Sequence, residues 1–353
     1  MHANRDWMVL LACCAAFFGR ELWSADVPPQ PITRIAVGSC LNEQQQAPIW
    51  EAVVAAKPEL FLYIGDNIYA DTQDMEIMKA KYAKLGASAG YKKLRATCSV
   101  LATWDDHDYG EDDAGAEYPK KRASQEIFLN FFNEPKDSPR REQEGVYDAK
   151  VFGPADKRVQ VILLDTRYHR SALKQKAVRQ GLWDGPYEPT DAETQAVLGE
   201  TQWAWLAEQL KQPAQLRILC SSIQVVADEH GWEKWGNLPK EKARLLTLLK
   251  DSKVGGVIIV SGDRHFAELS KLEPQGSGLA YPLYDLTASS LNRKLTMPEA
   301  RPSRFRVCGP VLVCNFGMLL IDWGKDDPEL TFEIRDTAGE LKFKEAVKLG
   351  TLR

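Results

Sequence analysis

Four short stretches of this 353-residue chain concentrate side chains that can bind metal ions or move protons. They are Gly38-Ser39-Cys40, then Gly65-Asp66-Asn67-Ile68-Tyr69-Ala70-Asp71, then Trp104-Asp105-Asp106-His107-Asp108-Tyr109-Gly110, then Ser261-Gly262-Asp263-Arg264-His265. Together they offer thiolate, carboxylate, phenolate and imidazole, the donor types that suit one softer and one harder metal ion. Three carboxylates around His107 would repel one another unless a cation neutralises them. Taken singly, each group has a plainer reading: Cys40 as a buried thiol, Asp66 as a turn cap, Tyr69 as a packed aromatic. Four in one chain point to a metal centre.

What must position these groups is legible in the apolar runs before them. Ile32–Val37, Leu60–Ile64, Val100–Trp104 and Gly256–Val260 read as short buried strands, each delivering one polar cluster. Catalytic groups in α/β sheets collect beyond the carboxyl ends of strands. Further strands are expected at Val159–Leu164 and Leu216–Ile223, with helices over 48–56, 75–85, 202–210 and 241–249. The C-terminal part (283–288, 311–321 and 330–334) reads as strands with short turns, favouring antiparallel pairing. Residues 168–196 carry Gly181, Gly185, Pro186 and Pro189 together with Trp183 and Tyr187. They read as a long irregular insertion covering a cleft and selecting substrate. With no internal repeat and no clear linker, one domain over 32–345 is expected.

Composition narrows the class. Hydrophobic residues make up 44% and charged residues 27%, an ordinary globular balance. Net charge is −4, so no global basic field for duplex nucleic acid is expected. Met8–Phe18 is an apolar run of signal-peptide length, too short to span a bilayer. Residues 1–25 are therefore expected to be a signal peptide and the protein periplasmic or secreted, with lipoprotein anchoring at Cys13 or Cys14 as the alternative. No later stretch is apolar enough to cross a membrane. Cys40, Cys98, Cys220, Cys308 and Cys314 remain, an odd number. Cys308 and Cys314 either close a small disulfide loop or are two buried thiols.

The four motifs, with Leu163-Leu164-Asp165-Thr166-Arg167-Tyr168, Leu198–Trp203 and Glu233–Pro239, resemble the PhoD-like alkaline phosphatase/phosphodiesterase family of the calcineurin-like metallophosphatase superfamily. The resemblance implies an α/β fold, a four-layer α/β/β/α sandwich with a dinuclear site at the strand ends. It implies Fe3+ held by Cys40, Asp66, Tyr69 and His265, and Ca2+ or another divalent ion at Asp66, Asp106 and Asp263. Asp66 would bridge the two. His107 or Asp108 would serve the leaving group, and Arg264 and Arg167 are candidate phosphate forks. Arg167 could instead form a salt bridge with a neighbour. Gln224 lies near the remaining ligand segment without a firm assignment. The expected function is hydrolysis of phosphate mono- or diesters of small molecules by a metal-bridging hydroxide. Phospholipase D-like or nucleotide phosphodiesterase activity, or a catalytically silent metal-binding homologue, are the alternatives.

Overall fold

The computed structural model describes residues 30–180, 184–293 and 303–353. The expected leader over 1–25 and Trp183 lie outside the described residues. The chain begins with β1 (Arg34–Gly38), α1 (Ile49–Ala55), β2 (Leu60–Ile64), α2 (Met75–Ala87), α3 (Ala89–Thr97) and β3 (Ser99–Thr103). After the short α4 (Asp106–Tyr109) and α5 (Lys121–Phe131) come β4 (Asp148–Phe152), β5 (Val159–Leu163), α6 (Glu200–Leu210) and β6 (Leu216–Cys220). Helix α7 (Pro239–Ser252) leads to β7 (Val257–Ser261), β8 (Ala267–Leu272) and β9 (Leu283–Ala288). The last strands are β10 (Arg306–Val311), β11 (Asn315–Asp322), β12 (Glu329–Asp336) and β13 (Leu341–Lys348).

These strands form two sheets, ordered β13-β12-β11-β1-β2-β3 and β10-β8-β9-β7-β6-β5-β4. Side-chain alternation along each strand decides what each face buries. In the first sheet Ile35, Val37, Leu60, Leu62 and Ile64 join one apolar cluster with Val161, Leu219 and Ile259 of the second sheet. Ala36, Phe61 and Tyr63 point the other way, against Trp50 of α1, Met78 and Tyr82 of α2, and Leu94 of α3. On the second sheet, Leu206 of α6 and Leu245 and Leu249 of α7 complete the outer layer. Helix, sheet, sheet, helix is thus the order of layers, as the resemblance implies.

Strands β1, β2 and β3 run parallel to one another, as do β5, β6, β7 and β9. Their carboxyl ends gather at one edge of the sandwich, where a parallel bridge between Ser39 and Ser289 joins the two sheets. Gly262 is required there: a Cβ on it would lie 2.7 Å from both the Ile64 carbonyl and Ser39 Oγ.

The C-terminal expectation is only partly met. β11, β12 and β13 pair antiparallel, but β9 is parallel to β7 and antiparallel to β8. The single strand read over 311–321 is two strands in different sheets, with 312–314 crossing between them. Leu312-Val313-Cys314 is apolar and itself contains no Gly, Pro or Asn, so it reads as a continuation of the strand. Cys308 and Cys314 are free and half-buried, so the disulfide alternative is not the one adopted. Among the described residues no helix is long and apolar enough to cross a membrane.

Candidate metal centre

Four of the predicted ligand residues sit in a backbone conformation that side chains disfavour. Cys40, Asp66, Asp263 and His265 have φ of 59°, 50°, 68° and 57°. Such left-handed non-glycine residues cost about 1–3 kcal/mol each and persist where surrounding contacts over-determine them. Those contacts are present. Cys40 and Leu41 donate backbone N–H to the Gly65 and Asp66 carbonyls at 3.4 and 3.0 Å, Ala70 donates to His107 at 2.9 Å, and Gly262 to Ser222 at 2.9 Å. His265 N–H donates to Ser289 Oγ at 2.8 Å.

The side chains converge on Asp66, which is 1% exposed. Its Oδ2 accepts from the Cys40 thiol at 3.2 Å and the Tyr69 hydroxyl at 3.1 Å. The Tyr69 hydroxyl is also 2.9 Å from His265 Nε2. Donor atoms of Cys40, Asp66 and His265 all lie within 4.8 Å of one another, and so do those of Asp66, Asp106 and His107. Asp66 therefore belongs to both groups. The second group differs from the expected set: it contains His107, and Asp263 stands outside it. Asp263 remains close enough for its charge to act on Cys40, and it responds to Asp105 and Asp106.

The electrostatics mark a site built for cations. Burial, with the neighbouring carboxylates, pushes Asp66 and Asp263 well above the usual carboxylate range. Burial and Asp66 likewise raise the Cys40 thiol and the Tyr69 phenol. Burial raises Asp106 too, but His107 and Arg167 more than offset it and hold the group below its ordinary value. Burial opposes charge on His107, yet Asp106, Asp66 and Asp71 outweigh it and lift its pKa to about 11. His265 is lowered to about 3 by burial and by Arg293, which keeps it neutral as a metal-ligating imidazole must be. Asp66 Oδ1, Asp106 Oδ1 and Asp105 Oδ2 are buried without a hydrogen-bond partner among the described residues. Buried carboxylate oxygens without donors are what a bound cation would satisfy, so the residues fit two metal ions.

The structure bears on three sequence expectations. Asp108 is fully buried and spends both oxygens on donors: Asp105 N–H at 2.8 Å, Asp66 N–H at 3.1 Å, Tyr82 hydroxyl at 2.9 Å and Asn67 amide at 2.5 Å. It braces the two ligand loops and is not placed to serve a leaving group. Arg167 is an internal ion-pair residue, bound to Asp105 and, at 2.6 Å, to Glu233, and is fully buried. Gln224 donates to Glu268 and Thr287 at 2.8 Å and lies 3.0 Å from His230 Nε2, so its amide is consumed away from the metal groups. Arg264 is 5% exposed and sits over Trp232 and Phe266, 5.6 Å from each ring centre.

The structure also adds residues the motifs alone do not single out. Asp71 holds His107 Nδ1 at 2.6 Å, and its place at the end of the second motif was the available signal. Glu233 joins Arg167 and Arg170 at 2.6 and 2.8 Å. Tyr187, in the insertion, donates to Asp113 at 2.6 Å, and Asp113 N–H donates to Asp106 at 2.7 Å. The described part of the insertion lies against the 231–232 backbone, with Tyr187 N–H on the Gly231 carbonyl at 2.8 Å. A Cβ on Gly185 would sit 2.4 Å from that same glycine.

A family model described as PhoD-like phosphatase matches residues 35–301, a span holding every residue of both donor groups. The chain belongs to the PhoD-like phosphatase family. Among curated proteins of this kind, alkaline phosphatase D of Bacillus subtilis (strain 168) is 21% identical over 286 residues, 69% of this chain and 47% of its own length. The chain thus spans about half the length of this relative. A solved structure of PhoD superposes with a TM-score of 0.69 at 16% identity, over 92% of this chain and 70% of that one. A dimetal phosphatase from Danio rerio gives 0.53 at 13% identity, over 91% and 100%. At these identities the solved structures establish the family's fold, and the chemistry rests on the residues above.

Proposed function

We propose that the protein is a metal-dependent phosphoesterase. The observation that carries the reading is Asp66, a buried carboxylate shared by two donor groups, one of whose oxygens has no hydrogen-bond partner among the described residues. Cys40, Asp66, Tyr69 and His265 would hold one ion, read as Fe3+. Asp66, Asp106 and Asp263, with His107 adjacent, would hold the second, read as Ca2+ or another divalent ion. Bound metals there supply Lewis acidity toward phosphoryl oxygens and a water made acidic enough to react near neutral pH.

The chain's own residues then do two things. Asp71 fixes the His107 ring through Nδ1, leaving Nε2, 3.7 Å from the exposed Asp112, to hold a proton toward the leaving oxygen. The insertion, through Tyr187 and Asp113, ties its position to that of Asp106. The substrate would be a small phosphate mono- or diester, met after export to the periplasm or medium. Hydrolysis of a chromogenic phosphodiester, measured before and after chelation and after metal restoration, tests the reading. Turnover indifferent to chelator would refute it.

Two expected outcomes bear on the finer points. Shortening the insertion between 172 and 195 should change the diester-to-monoester ratio several-fold while metal content stays near that of the parent. An unmoved ratio would make the loop a surface excursion. Metal identity has its own handle. Thiolate, phenolate and carboxylate together favour a trivalent ion, calcium gains little from sulfur, and zinc with a filled d-shell gives no colour. The purified protein should therefore show a visible charge-transfer band that shifts in Tyr69→Phe and Cys40→Ser and bleaches on reduction. A colourless, fully active zinc or calcium enzyme would overturn the Fe3+ assignment alone.

A further inference from the structure

Three arginines border the metal centre, and the structure separates their roles. The Arg167 guanidinium is locked between Asp105 and Glu233. Arg264 is buried against Trp232 and Phe266. Arg293 is different: its guanidinium lies 4.7 Å over the Tyr69 ring, and among the described residues it has neither a carboxylate partner nor a hydrogen-bond acceptor. It is half-buried, with Tyr69 itself against the Asp66 carboxylate and His265.

Its position is held from below. Beyond β9 the chain forms a strap in which Ser289 bridges Ser39, Leu291 N–H donates to the Ser39 carbonyl at 3.0 Å, and Asn292 N–H to the Cys40 carbonyl at 3.4 Å. The Asn292 side chain clasps the Asn42 backbone in both senses, accepting at 2.7 Å and donating at 2.9 Å. Ser290 Oγ donates to the Arg293 carbonyl at 2.7 Å. Every residue of the strap before Arg293 is buried. The backbone carrying Arg293 is thus tied to the loop carrying Cys40, and the cation–π contact holds the guanidinium over the phenol at 4.7 Å. A positioned guanidinium beside a candidate metal centre, whose N–H donors meet no acceptor among the described residues, matches the oxygens of a phosphoryl group.

We propose that Arg293 binds the non-bridging oxygens of the phosphoryl group at this centre, a role that Arg167, held between Asp105 and Glu233, does not fill. The proposal rests on the phosphoesterase reading for turnover, but phosphate binding can be measured without it. A rival role confines Arg293 to the Tyr69 ring, where it would serve only packing or the ligand's electronic character.

Wild type, Arg293→Met and Arg293→Lys, each purified with its metals, separate these roles. The measurements are metal content, KM and kcat on a chromogenic phosphodiester, and calorimetric titration with inorganic phosphate. Arg293→Met keeps an apolar side chain over the phenol. It should retain wild-type metal content yet raise KM, and weaken phosphate binding, by about 10–100-fold, the range of a charge-assisted hydrogen-bonded contact. Arg293→Lys should recover part of the phosphate affinity. Unchanged KM and phosphate affinity in Arg293→Met would overturn the proposal, as would a loss confined to metal content or to the visible band. If wild type hydrolyses no ester, the phosphoesterase reading fails while the phosphate titration still decides Arg293. Should Arg293→Met fail to fold, Arg293→Gln replaces it in the same comparison.

Discussion

Replacing Asp66 by asparagine is expected to strip the centre of its metals and of nearly all phosphoesterase activity without unfolding the protein. Asparagine tolerates the left-handed backbone at φ 50° better than other residues, so the loop should keep its path. Its amide oxygen can still accept from Cys40 and Tyr69, as the carboxylate does. What is lost is one negative charge and the ability to bridge two cations. Outer partners of metal ligands cost about 10–100-fold in affinity when removed. A shared inner ligand should exceed that. The metal-free variant should be at least as stable as the metal-free parent, because Asp66 is buried among Asp105, Asp106 and Asp108 and is held protonation-prone by burial and those charges. Elemental analysis and thermal unfolding of both forms check this. A turn-capping Asp66 predicts the reverse, about 1 kcal/mol of lost stability with activity and metal content intact.

Arg167→Met should be the most destabilising single change near the site. The guanidinium is fully buried between Asp105 and Glu233, and Glu233 also holds Arg170 at 2.8 Å. Removing one partner of a buried ion pair leaves uncompensated charge and costs about 3–5 kcal/mol. The double variant Arg167→Met with Glu233→Met should regain part of that loss, since it removes charge from both sides. Urea unfolding of wild type, both single variants and the double variant gives the coupling. If Arg167→Met keeps wild-type stability and instead raises KM, Arg167 would be a phosphate ligand after all.

The contrast between Asp106 and Asp108 marks how far sequence reasoning reaches. Two residues apart in one run, they are chemically identical in the sequence. Folding leaves Asp106 Oδ1 without a hydrogen-bond donor among the described residues, the Arg167 guanidinium lying 3.9 Å away, and surrounds Asp108 with four. Gln224 is a similar case, its amide drawn to Glu268, Thr287 and His230 by contacts up to 63 residues away. Strand β13, Leu341–Lys348, escapes the hydrophobic pattern because most of its residues are exposed and alternate with Lys and Glu at the edge of the sheet.

By itself the sequence determined strands β1, β2, β3 and β7, because each has an apolar run at its centre, fully buried in β2 and β7, that a covered sheet accommodates. It also determined which polar residues follow those runs, and hence the donor types available at the site. The tertiary structure decided which of those donors meet. Cys40 and Ser289 are 249 residues apart and touch at 3.1 Å, and Tyr69 and His265 are 196 apart and touch at 2.9 Å. The packing of two sheets face to face, which brings their strand ends to one edge, creates such contacts. The same packing separates Arg293 from the other arginines. Nothing local in Asn292-Arg293 announces a function, and only the strap that pins it beside Cys40 and Tyr69 gives its guanidinium a task.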